Sequence, residues 1–188
     1  FHDYNGAHEK RDWPFIRAGF DRAAKGLKGS GADFLVLACN TLHTVADAIQ
    51  DATDLPFLHI VDACGAKLQN DERKQPGLLG TACTMAQPYF VDRLTKTTGM
   101  TPLLPDAETQ KELSRIIFEE LTHGIVTEAS IAYYENAIQT LKDQGCDSII
   151  LGCTELGMLI TDKNSPLPPY DTALIHCEAI VDYALGED

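Results

Sequence analysis

Cys39 and Cys153 occupy the same place in two versions of one stretch. Residues 27–43 read LKGSGADFLVLACNTLH and residues 141–157 read LKDQGCDSIILGCTELG. Aligned without a gap, they share Leu27/Leu141, Lys28/Lys142, Gly31/Gly145, Asp33/Asp147, Leu37/Leu151 and Cys39/Cys153. Each reads as the last turn of a helix, a glycine stop, a buried strand and a cysteine where that strand ends. Cys39-Asn40-Thr41 and Cys153-Thr154-Glu155 then open the next helix. A thiol there sits near unpaired backbone N–H groups and the positive end of a helix dipole, which favour thiolate and lower its pKa.

Two such thiols facing each other suit a reaction at a stereocentre. One thiolate removes the α-proton and the opposing thiol delivers a proton to the other face, a two-base racemisation that needs no cofactor and no metal. The bland reading takes each cysteine as a small apolar residue at a strand end; the matched pair argues against it. The neighbours differ. Asn40, Thr41 and Thr154 can cap a helix or bind a substrate carboxylate. Glu155 places an anion two residues after Cys153, where it raises that thiol's pKa or relays its proton, or else merely stabilises a first helical turn. The turn Thr81-Ala82-Cys83-Thr84 offers two hydroxyls, Thr81 and Thr84, and free N–H groups to an anion. His43 reads as a packing or surface histidine, and His59 and His176 as satisfied core histidines. Cys64, Cys146 and Cys177 carry no assigned chemistry.

The elements that must position these groups alternate. Residues 1–13 are polar and aperiodic, a loop. Helical spacing over 13–28 leads to a strand at 34–38, whose unbroken apolar run fits a parallel strand covered on both faces. A helix over 41–52, a strand over 57–61 and a short helix over 62–68 capped by Asp62 follow. A second series has a strand at 78–80, a helix over 85–97 with Pro88 in its first turn, and a brief strand at 102–105. A helix capped by Asp106 and stopped by Gly124, another capped by Thr127 and stopped by Gly145, and a strand at 148–151 come next. Residues 166–170 form a proline-marked loop with room for a short strand, and a helix covers 172–185. The pattern predicts α/β architecture: two pseudo-symmetric lobes, each a parallel sheet flanked by helices, with the active-site cleft between them. Residues 1–74 plus 165–188 make the first lobe and 75–164 the second.

With 188 residues, 44% of them hydrophobic, the chain can build a packed core. A formal net charge of -13 excludes nucleic acid and anionic membrane as partners. No apolar run reaches the length of a membrane span. The six cysteines show no C-x-x-C pair and no zinc-ligand spacing, so reduced thiols in a cytoplasmic protein are expected rather than a disulfide framework or a metal site.

GADFLVLACNTLH, LPFLHIVDA, GLLGTACTM, GCDSIILGCTELGMLI and DTALIH, in that order, resemble the cofactor-independent aspartate/glutamate racemase family over nearly the whole chain. The resemblance implies a two-lobed, usually dimeric α/β enzyme acting on a small amino-acid substrate, hence a homodimer. It implies Cys39 and Cys153 as the acid/base thiols, with Asn40, Thr41, Thr81, Thr84 and Thr154 holding the substrate's carboxylate and amino group. It further implies a strand, a glycine-rich loop, a helix and a second strand ahead of Phe1, so that the chain reads as missing those residues. Aspartate is the first expectation for substrate and glutamate the next. Two other outcomes stay open: another enzyme of the same fold, a maleate cis-trans isomerase or a hydantoin racemase, and a small-ligand binding module without turnover. A decarboxylase of this fold needs one thiol, and the matched pair counts against it.

Overall fold

In the computed structural model, which describes Ala7, Lys10 and residues 12–186, the chain divides into two compact units. The first comprises Phe1–Leu37 and Leu42–His59; the second comprises Ala38–Thr41 and Ile60–Asp188. Most of the opening stretch expected to be a loop lies outside the described residues.

In the first unit, helix α1 (Trp13–Gly29) starts at Asp12, whose side chain accepts from the Phe15 N–H. It ends before Gly31, which takes φ +90°. Strand β1 (Leu35–Val36) pairs in parallel with β2 (Phe57–Leu58) in the register Leu35 to Phe57. A 3-10 turn over Thr41–Val45 leads into helix α2 (Ala46–Ala52). Ala24, Leu35, Leu37 and Ile49 form the core, with Phe20, Leu55 and Phe57 packed on it. The apolar run predicts double-sided cover of β1; burial instead alternates, Leu35 and Leu37 in and Val36 out.

The second unit holds a parallel sheet in the order β3-β4-β5: β3 (Pro76–Leu79), β4 (Ser148–Leu151) and β5 (Pro169–Asp171). Leu79 lies opposite Leu151, and Leu151 opposite Asp171, so the three strands end level. Every residue of β3 and β4 is buried, as parallel strands covered on both faces require. Leu79, Ile149 and Leu151 pack against Leu113, Ile116 and Ile117 of helix α6 (Ala107–Glu119) and Tyr134 and Ile138 of helix α7 (Glu128–Asp143). Leu78 and Ile150 face the other way, onto Val61 and Leu68 of helix α3 (Ile60–Asn70), Phe90 and Leu94 of helix α5 (Pro88–Thr98), and Ile175 of helix α8 (Thr172–Leu185). Ile60, Val61, Cys64 and Leu68 of α3 and Ile175 of α8, from stretches that sequence pattern placed with the first lobe, share a core cluster with Leu78 and Ile150.

Several boundaries follow local chemistry more closely than periodicity predicted. The helix expected over 85–97 is two: α4 (Ala82–Ala86) and α5, separated by Gln87 in extended conformation. Pro88 disfavours helical geometry in the residue before it and itself starts α5. The strand expected at 102–105 is reduced to one bridge between Leu103 and Gly77. Helix α3 begins at Ile60, two residues before Asp62, and shortens the strand expected over 57–61. Asp106 and Thr127 cap their helices as predicted, and Gly99, Gly124 and Gly145 take positive φ at the predicted stops. Parallel sheets flanked by helices make this a mixed α/β protein. Among the described residues, no helix is long and apolar enough to cross a membrane.

Candidate active site

All eight residues singled out for chemistry belong to the second unit, since Ala38–Thr41 groups with it although β1 does not. They gather where β3 and β4 end. Gly80 and Gly152, the next residues on, meet there: a Cβ on Gly152 would lie 2.9 Å from the Leu79 carbonyl oxygen, and one on Gly80 3.1 Å from the Gly152 carbonyl oxygen. The Cγ2 methyl of Thr84 packs 3.2 Å from both hypothetical Cβ positions. Glycine at both positions lets the two strand ends close on Thr84.

Thr84 is the hub of a hydroxyl cluster. It is fully buried, and its Oγ1 lies 3.1 Å from Thr81 Oγ1 and 3.3 Å from Thr41 Oγ1. Thr41 and Thr81 are themselves 3.4 Å apart. Thr81 Oγ1 also accepts from the Thr84 N–H, capping α4. Tyr89 donates its hydroxyl to Thr84 Oγ1 at 3.3 Å. Burial raises the Tyr89 pKa, and the charges of Cys83, Cys39 and Cys153 add to that rise against the lowering effect of the Thr84 bond. Tyr89 therefore stays a donor, and it shares its surroundings with three thiols. Such a hydroxyl cluster can turn its protons toward an anionic ligand.

Cys153 Sγ donates to Glu155 Oε2 at 3.0 Å, and Thr154 Oγ1 donates to the same oxygen at 2.6 Å. Burial raises the Cys153 pKa far above its ordinary value; the hydrogen bond and charge of Glu155 raise it further, and Cys39 adds a smaller push. Burial also pushes the Glu155 carboxyl up, but the bonds from Cys153, Thr154 and its own backbone outweigh this and hold it below its ordinary value. The pair rests as thiol and carboxylate. The rise from Glu155 is the one its position predicts, whereas the lowering expected from a helix terminus does not prevail. No α-helix directly follows Cys153, only a 3-10 turn over Leu156–Met158, and the dipole of so short a turn is weak beside burial and an adjacent anion.

Asn40 is buried, and its Nδ2 donates to Thr172 Oγ1 at 2.9 Å. Thr172 Oγ1 in turn donates to the Leu151 carbonyl at 2.8 Å. The Asn40 Oδ1 atom has no hydrogen-bond partner among the described residues. The structure thus joins Thr41, Thr81 and Thr84 in one cluster and Cys153, Thr154 and Glu155 in another, and ties Asn40 to Thr172. Thr154 is committed to Glu155. Thr172 and Tyr89 are the residues that sequence pattern missed. Thr172 lies within the DTALIH segment that resembled the family but reads locally as a helix start, and nothing local distinguishes Tyr89 from a core aromatic.

The remaining candidates behave as packing groups. In the first unit, His43 is buried against His59, ring centroids 4.3 Å apart, with Phe57 beside them. His176 is buried in α8. Burial pushes Cys64 up to about 12 and Cys146 up to about 11, so both stay inert thiols. None of the six cysteines is disulfide-bonded. Among the described residues, no group of three or more histidine, cysteine, aspartate or glutamate side chains is placed to hold a metal ion.

Comparison with known proteins identifies the family and the fold. The pattern described as Asp/Glu/hydantoin racemase matches residues 6–180. The broad specificity amino-acid racemase RacX of Bacillus subtilis is 29% identical over 161 residues, covering 84% of this chain and 66% of that protein. A crystal structure of a protein assigned as an Asp/Glu racemase from Yersinia pestis superposes with a TM-score of 0.92 at 39% identity, covering 98% of this chain and 80% of that one. An aspartate racemase homologue from Pyrococcus horikoshii OT3 superposes with a TM-score of 0.83 at 29% identity, covering 92% of this chain and 76% of that one. The chain spans less than two thirds of the length of the first curated relatives it matches.

Proposed function

This chain belongs to the Asp/Glu/hydantoin racemase family, and from that premise we propose that it racemises an acidic amino acid, aspartate first and glutamate next, without a cofactor. The observation that carries this reading is the Cys153–Glu155 pair. A thiol kept protonated beside a carboxylate is a proton donor in waiting, and Cys39 lies close enough to bear on its pKa. Cys39 as thiolate takes the α-proton of one enantiomer while the C–H electron pair stays on the α-carbon. Cys153 gives its proton to the opposite face of that carbon and is left as a thiolate. The opposite enantiomer runs the sequence in reverse, with Glu155 favouring return of the proton to Cys153.

Binding follows from the same residues. The hydroxyls of Thr41, Thr81 and Thr84 hold the α-carboxylate, and Asn40 with Thr154 serves the amino end. Fixed donors on the carboxylate lower the energy of the carbanion, whose charge spreads onto it. The names of the relatives support this substrate class, since they include a broad specificity amino-acid racemase and an aspartate racemase homologue.

The test is incubation with L-aspartate, then L-glutamate, in deuterium oxide, following loss of the α-proton and optical rotation together. Exchange with inversion is expected. Cys39→Ala and Cys153→Ala should each abolish inversion, while exchange from one enantiomer survives. Conversion of maleate to fumarate with no amino-acid exchange would transfer the protein to an isomerase reading. Binding without any exchange would leave a ligand-binding module.

A further inference from the structure

We infer that Thr172 is a positioning residue that sets which way the Asn40 side-chain amide points, and thereby makes the site selective for a ligand carrying a primary ammonium group. The inference rests on the function proposed above for its ligand but not for its geometry. Thr172 is fully buried at the junction of β5 and α8. Its backbone is anchored by Asp171, whose Oδ1 accepts from the Ala173 and Leu174 N–H groups. The threonine hydroxyl has one proton, and it goes to the Leu151 carbonyl at 2.8 Å. Toward Asn40 the hydroxyl can then only accept, so the group 2.9 Å away must be the amide NH2 and not the amide oxygen.

That constraint decides the rest. Asn40 is 3% exposed, and with its NH2 tied to Thr172 its Oδ1 is left buried without a donor among the described residues. A buried acceptor in this state is unfavourable unless a ligand supplies the missing proton. The ligand group that fits is a cationic N–H donor, the ammonium of an amino acid. Were the amide free to turn over, its NH2 would face the ligand and repel an ammonium, and the site would favour the corresponding acid without the amino group. The β4 strand end thereby acts on substrate choice through Leu151, Thr172 and Asn40 in sequence.

The experiment compares L-aspartate with succinate, which lacks the amino group, in the wild type, Thr172→Val and Thr172→Ser. Valine keeps the shape and removes both hydrogen bonds; serine keeps both. In Thr172→Val the KM for L-aspartate should rise on the order of tenfold, the effect of one charge-assisted hydrogen bond. The same variant should leave kcat within about threefold and the inhibition constant of succinate unchanged. Thr172→Ser should match the wild type. Equal weakening of both ligands, or of neither, overturns the inference, because a merely structural tie does not distinguish them. Thr172→Ala replaces Thr172→Val if the latter does not fold. If the wild type neither binds nor exchanges any acidic amino acid, the proposed function fails, and the inference is then judged on the ligand-free protein. One Asn40 side-chain amide proton should exchange slowly by NMR in the wild type and rapidly in Thr172→Val; equal exchange in both would overturn it.

Discussion

The Sγ of Cys153 lies 3.0 Å from Oε2 of Glu155, and the proton between them belongs to the sulfur. Two residues apart in the chain, these groups are held together by the turn that follows β4. Their pairing makes the two thiols of the proposed site unequal: Cys39 has no carboxylate two positions on in the chain, where Asn40-Thr41 stands in place of Thr154-Glu155.

Glu155→Gln should lower the pKa of Cys153. The substitution removes the second and third causes of the upward shift, while the first, burial, stays, so the thiol should still titrate above its ordinary value. Thiolate ultraviolet absorbance against pH, with Cys153→Ala identifying the contribution, reads this directly. An unchanged or higher Cys153 pKa in Glu155→Gln would show that the carboxylate does not govern the thiol.

The same pair makes stability depend on pH in two windows. The folded-state pKa of Glu155 is lowered, so its contribution is fully present above the ordinary carboxylate range and fades as pH falls through the lowered value. The folded-state pKa of Cys153 is raised, so its contribution is whole below the ordinary thiol value of 9.0 and fades as pH climbs toward the raised one. Denaturant unfolding of wild type and Cys153→Ala should therefore converge or cross as pH rises above that value. Parallel curves throughout would contradict it.

Thr84→Val should separate binding from folding. Valine keeps the methyl that packs on Gly80 and Gly152 but leaves the Thr41, Thr81 and Tyr89 hydroxyls without their shared partner. Loss of about 1 kcal/mol is expected for the hydrogen bonds removed, together with a KM for L-aspartate raised by tenfold or more. An unaltered KM would remove the hydroxyl cluster from carboxylate binding.

Gly152→Ala should damage the fold itself. The new Cβ would stand 2.9 Å from the Leu79 carbonyl oxygen, a backbone atom that cannot yield without parting β3 from β4. Destabilisation of about 1–3 kcal/mol is expected from such overpacking, seen as a lower midpoint of urea unfolding. Gly26→Ala, with open space around its Cβ position on α1, is the control and should be neutral or stabilising.

Thiol accessibility should follow burial. Cys177 is exposed, Cys64 and Cys146 are buried and held at about 12 and about 11. An alkylating reagent at neutral pH, read by peptide mass spectrometry, should modify Cys177 first and leave Cys64 and Cys146 intact until the protein unfolds.

What could be read along the chain is what depends on near neighbours. The apolar runs read at 78–80 (observed as Pro76–Leu79) and 148–151, the caps at Asp106 and Thr127 and the glycine stops at Gly31, Gly99 and Gly145 are set by side chains within a turn of where they act. The cysteine after β4, with its glutamate two residues on, is legible for the same reason. Tertiary structure alone decided the rest. Asn40 finds its partner 132 positions away in Thr172, and Thr84 gathers hydroxyls from Thr41 and Tyr89. The rise that Glu155 brings to the Cys153 pKa is legible in the chain, but its largest cause, burial, is not, because burial is a property of everything packed around a sulfur atom and no spacing between residues encodes it.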